Sequence, residues 1–125
     1  MKFEEFTGLV AQRANAPRDR AETLVRTTLG TLAERISGGE TRDLADQLPE
    51  ELKGPLAGAA EPAQPFGVDE FVRRVGERAG LDTDAARDGA RAVLVTLREA
   101  VTPGLFDDVT SQLPQEYSEL TGPII

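Results

Sequence analysis

The stretch from Ala21 to Ile36, AETLVRTTLGTLAERI, places Ala21, Leu24, Val25, Thr28, Leu29, Leu32 and Ile36 at intervals of three and four residues. That interval is the period of one helical face, so the stretch predicts a long helix over 18–37 with a continuous buried stripe. The same pattern returns 65 residues later as ARDGARAVLVTLREAV, from Ala86 to Val101. There Ala86, Ala90, Val93, Leu94, Leu97 and Val101 carry the stripe, over a helix predicted at 83–101. These two helices decide the fold class: they are the centre of an all-α protein.

Working outward, the 65-residue register holds without a gap. Phe6 falls on Phe71, Val10 on Val75, Arg13-Ala14 on Arg78-Ala79, Arg26 on Arg91, Leu29 on Leu94, Thr31-Leu32 on Thr96-Leu97 and Glu34 on Glu99. Gln47-Leu48-Pro49 falls on Gln112-Leu113-Pro114, and Glu51 on Glu116. Of the 49 pairs from Phe3 to Glu51, 18 are identical, where chance would supply only a few. The chain therefore reads as a tandem duplication of a three-helix unit packed into one compact helical bundle. The first repeat spans 1–53, a connector containing Pro55, Pro62 and Pro65 spans 54–65, and the second repeat spans 66–125. Each copy is too small to be comfortably stable alone, so the two are expected to share a core.

The flanking helices follow from the same period. Phe3, Phe6 and Val10, then Phe71, Val75 and Ala79, predict first helices at 2–14 and 68–79. Asn15 and Gly80 stand at equivalent helix ends. Asp19 with Glu22 fits a capping box behind Pro17, and Asp82 or Thr83 caps the matching helix. Ser37-Gly38-Gly39 and Thr102-Pro103-Gly104 stop the long helices. Third helices are predicted at 41–48 and 104–112, striped by Leu44 and Leu48 and by Leu105, Val109 and Leu113. Each ends at Gln-Leu-Pro-x-Glu, where proline disfavours α geometry at the preceding Leu and opens a last short turn. Leu52 and Leu56, or Tyr117 and Leu120, dock that turn on the core.

Several of these segments are similar to a known family. A Phe-x-x-x-Val first helix, a second helix ending in Leu-x-Glu, and the segments from Thr41 to Leu52 and from Phe106 to Tyr117 resemble the domain of unknown function 2267 family. The resemblance covers nearly the whole chain. It implies an all-helical, duplicated domain of bacteria or archaea, and it implies no catalytic or binding residues.

Composition narrows function. With 14 basic against 22 acidic residues the formal charge is −8, which repels phosphate backbones and argues against a nucleic-acid partner. The chain has neither Cys nor His, which removes thiolate chemistry and the commonest general base and zinc ligand. No cofactor and no metal site is expected. The aspartates at 82, 84 and 88 do not have calcium-loop spacing, and Val93 stands where the closing Glu belongs. Paired acids such as Glu4-Glu5 and Asp107-Asp108 read as solvated faces, as does the basic edge of Arg73, Arg74 and Arg78. A signal-peptide core and a membrane-spanning run are both missing from the sequence, so a cytoplasmic protein without a membrane partner is expected.

Six polar residues stand out because both repeats keep them. Arg13 and Arg78, and Arg26 and Arg91, read as ion pairs made twice, with Glu5/Glu70 or Glu34/Glu99 as partners; the sharper alternative is contact with a ligand or partner carboxylate or phosphate. Gln47 and Gln112 read as parts of structural corners, or else as a paired recognition surface. The terminal Ile124-Ile125 either folds back on the core or meets another subunit. The expected function is a non-catalytic helical module for a protein partner or self-association. The alternative is a small-ligand binder with an apolar pocket between the repeats, lined by both copies with converging Arg or Thr groups.

Overall fold

The computed structural model describes residues 1–57 and 62–122. Ile124-Ile125 and the middle of the predicted connector lie outside them. The described residues form eight α-helices: α1 (Phe3–Ala14), α2 (Arg18–Arg35), α3 (Gly38–Gln47), α4 (Lys53–Leu56), α5 (Val68–Ala79), α6 (Thr83–Ala100), α7 (Pro103–Ser111) and α8 (Ser118–Thr121). Single 3-10 turns at Glu50–Leu52 and Gln115–Tyr117 precede α4 and α8. Adding 65 to the bounds of α1, α2, α4 and the first 3-10 turn reproduces the bounds of α5, α6, α8 and the second turn. Between α3 and α7 the far end differs by a single residue.

The long helices form as their stripes require. Ala21, Leu24, Val25, Leu29, Leu32 and Ile36 are buried along α2, as are Ala86, Ala90, Val93, Leu94, Leu97 and Val101 along α6. Burying each of the larger side chains is worth roughly 1.5 to 3 kcal/mol. Asn15, at φ 52°, and Gly80, at φ 70°, close α1 and α5 in the left-handed region, which Gly enters freely and Asn tolerates. Asp82 caps α6, its carboxylate accepting from the Ala85 N–H at 2.8 Å.

Four local expectations need correction. Asp19 and Glu22 form no capping box: α2 starts at Arg18 behind an extended Pro17, and Asp19 accepts from the Arg20 N–H instead. Gly38 and Gly39 do not merely end α2; they make the first turn of α3, as Pro103 and Gly104 do for α7. Ser37 and Thr102 sit at the two N-caps, so a break and a new start share one junction. The unit has a fourth, one-turn helix, and α4 takes in Gly54–Leu56, where the connector was predicted to begin. Leu113 is only partly buried, unlike its counterpart Leu48.

Contacts between the halves are returned with roles exchanged. Helix α1 packs on α6 and α5 packs on α2, while α2 crosses α6 and α3 meets α7. This reciprocity is what a twofold relation produces. One core cluster runs through both halves. Where α2 crosses α6, Leu24 meets Gly89, its own counterpart in the 65-residue register. A Cβ on Gly89 would lie 2.4 Å from Leu24 Cδ2, so the crossing is a knob in a hole that only an asymmetric pair can fill.

Candidate functional site at the interface of the halves

The six polar residues singled out in the sequence all make intramolecular contacts in this geometry, and four of them reach across the interface. Arg13 at the end of α1 donates to Thr96 Oγ1 at 2.9 Å and to Glu99 Oε2 at 2.7 Å on α6. Arg78 at the end of α5 donates to Thr31 Oγ1 at 3.0 Å and to both carboxylate oxygens of Glu34 on α2, at 2.9 and 3.0 Å. The two triads are the same residues with the halves exchanged. Glu34 and Glu99 are thus the partners, while Glu70 pairs with Arg73 and Arg74. Burial alone would raise the Glu34 carboxyl, but the guanidiniums of Arg78 and Arg74 outweigh it and hold the group below its ordinary value.

Arg26 and Arg91 do not rest on the carboxylates expected for them. Arg26 donates to the Glu51 carbonyl at 3.3 Å and lies over the Phe3 ring, while Arg91 donates to the Glu119 carbonyl. Both satisfy carbonyls near the closing turns, orphan acceptors that a helical chain leaves at its breaks.

Gln47 and Gln112 form a second reciprocal pair. The Gln112 side-chain carbonyl accepts from the Ser37 N–H at 2.7 Å while its amide donates to Ser37 Oγ at 3.1 Å. The Gln47 carbonyl accepts from the Thr102 N–H at 2.8 Å, and its amide donates to Thr102 Oγ1 at 3.3 Å. Each glutamine does from the opposite half what the Glu of a capping box does within one helix. Each corner thus locks onto the α2–α3 or α6–α7 junction of the other half.

Sequence reasoning passed over Thr31 and Thr96, whose identity in both halves was the available signal. It also gave no role to Arg35, which is buried, donates to the Phe66 carbonyl at 2.7 Å and stacks against the Tyr117 ring. No repeat signal marked Arg35, because Ala100 is its counterpart.

One opening at the interface is a cleft of about 310 Å³ beside the Leu24–Gly89 crossing. The α1–α2 corner supplies Ala14, Asn15, Ala16 and Pro17, α2 supplies Arg20 and Leu24, and the second half supplies Leu81, Ala85 and Asp88. The walls are mostly small and apolar, and Arg20 and Asp88 are the charged side chains among them. Neither Arg20 nor Asp88 has a side-chain hydrogen bond or ion pair among the described residues. Among the described residues no three His, Cys, Asp or Glu side chains group as metal ligands, and no helix is long and apolar enough to cross a membrane.

Fold and interface together define a small all-helical bundle of two matching halves locked by reciprocal polar contacts. The chain belongs to the family described as "Uncharacterized conserved protein (DUF2267)", whose model matches residues 3–120. No curated protein matches it.

Proposed function

We propose that this chain is a non-catalytic binding module, and that the cleft between its halves takes a small ligand with an apolar body and an anionic head. The observation that carries this reading is Arg20. Most guanidiniums of this acidic chain are engaged by carboxylates or carbonyls, whereas Arg20 lines an apolar-walled cleft with no partner among the described residues. A guanidinium at the rim of such a cleft suits a carboxylate or phosphate, while Leu24, Leu81 and the alanines supply the apolar contact. The absence of His and Cys from the sequence supports binding over catalysis.

Association with a protein partner or with a second copy is the rival reading. Its support is weaker because Met1 is the one exposed large hydrophobic among the described residues, so an apolar docking face is not on offer there. Screening the protein against small carboxylates and phosphates by backbone amide shifts separates the two. Saturable shifts at Ala16, Leu81 and Ala85, lost in Arg20→Gln, are the expected result. A protein that binds none of them but sediments as a dimer, or captures a protein through Arg20, would overturn the small-ligand reading.

A further inference from the structure

The first half holds a second recess, of about 440 Å³, between α3 and α4. It is lined by Gly38, Thr41, Arg42 and Ala45 from α3 and by Lys53, Leu56 and Ala57 at the other wall, just before the undescribed residues 58–61. The second half is arranged differently at the matching positions. There the counterpart of Thr41 is Phe106, whose buried ring lies 4.8 Å beneath the Arg98 guanidinium, and Arg98 in turn donates to the Thr121 carbonyl at 2.6 Å. The counterpart of Arg98 is Ala33. The first half therefore lacks both the ring and the cation above it, and a Thr41 that is itself buried stands in the place of Phe106.

Each of the seven lining residues differs from its counterpart, as do most other positions of α3 and α4, where only Gly39, Asp43 and Gln47 recur. The changes also alter the charge: Arg42 and Lys53 stand where the second half has Asp107 and Ser118. Arg42 has no hydrogen-bond or ion-pair partner among the described residues, and Lys53 meets only the highly exposed Glu50, at 3.2 Å. Two cations, Arg42 and Lys53, thus stand beside the small and apolar side chains that line the recess.

We propose that this recess binds an aromatic carboxylate, the ring lying against Ala45, Leu56 and Ala57 and the carboxylate meeting Arg42 and Lys53. The site is separate from the cleft at Arg20 and stands or falls independently of it. The recess has the size of a small-molecule site, and one ring with a short acidic arm satisfies both its apolar floor and its basic rim.

Phenylacetate, titrated into the uniformly labelled full chain up to about 10 mM, is the probe. Saturable amide shifts at Thr41, Ala45, Leu56 and Ala57 are expected, with affinity about tenfold weaker in Arg42→Gln/Lys53→Gln. The uncharged 2-phenylethanol is expected to bind about tenfold more weakly to the native chain. Thr41→Phe adds a ring at the floor of the recess and is expected to abolish binding. Should that variant fold poorly, Ala45→Leu narrows the recess from the same helix and is expected to give the same loss. Absence of saturable shifts, shifts centred elsewhere, equal affinity for the alcohol, or unchanged affinity in a folded recess-filling variant would each overturn the proposal.

Discussion

Two buried hydroxyls are out of place. Thr7 Oγ1 and Thr28 Oγ1 are fully buried and have no hydrogen-bond partner among the described residues. Their counterparts in the second half are Val72 and Val93, also fully buried. Valine has nearly the same shape without the unpaired oxygen, so Thr7→Val and Thr28→Val are each expected to stabilise the fold by about 1 kcal/mol. Urea melts check this, and a loss of stability in both would mean that each hydroxyl has a partner in solution. At the same scale Leu29 and Leu94 lie in the centre of the core at 0% and 1% exposure. Leu→Ala at either is expected to cost about 2 to 5 kcal/mol, a large share of a small domain's stability. Their burial was legible from periodicity alone. The orphaned threonines were not, since a Thr on a helical stripe commonly bonds the carbonyl four residues back, as Thr31 and Thr96 do.

Between elements, the α2–α6 crossing and the glutamine locks make separate predictions. Gly89→Ala places a methyl against Leu24, and the expected cost is about 1 to 3 kcal/mol. Shortening the opposing knob with Leu24→Ala in the same chain should relieve the clash, so a double-mutant cycle is expected to show strong coupling. Additive losses would place the crossing elsewhere. Gln47→Ala and Gln112→Ala each orphan an N-cap N–H and are expected to cost about 0.5 to 2 kcal/mol in thermal melts. An unchanged melt with lost ligand or partner binding would return these glutamines to a recognition role. The helix positions, the two left-handed ends and the breaks at Ser37 and Thr102 were readable from the sequence. The destination of each glutamine was not, because a side chain that caps a helix 55 or 75 residues away leaves no local spacing to read.

For the whole molecule, α1 covers α6 and α5 covers α2, so neither half encloses its own core. A fragment of residues 1–57 is expected to show little helix by circular dichroism, and to regain it on mixing with 62–125. A cooperatively folded first half would contradict the shared core. Acid stability follows from the charge network around Glu34 and Glu70. Hydrogen bonds from Arg73 and Arg74 hold Glu70 at about 2 instead of 4.5, and Glu34 is also lowered. For carboxyls lowered on folding, the stabilisation is fully present above about 4.5 and is lost as the pH falls toward about 2. Melts from pH 6 to 2 should follow that course, and high salt should flatten it, since both carboxylates are only partly buried.

By itself the sequence determined what local rules can carry: an all-helical chain, the bounds of the long helices to within a residue or two, the buried face of each, and a 65-residue register linking the halves. These depend on the helical period and on turn chemistry, which act between neighbours. The tertiary structure alone decided which half each conserved polar residue serves, because Arg13, Arg78, Gln47 and Gln112 all reach across the interface. It also decided where the candidate sites lie. The cleft lies where two halves meet asymmetrically at Leu24 and Gly89, and the recess where α3 and α4 leave room between them. Empty space is a property of packing, and no residue pattern along the chain records it.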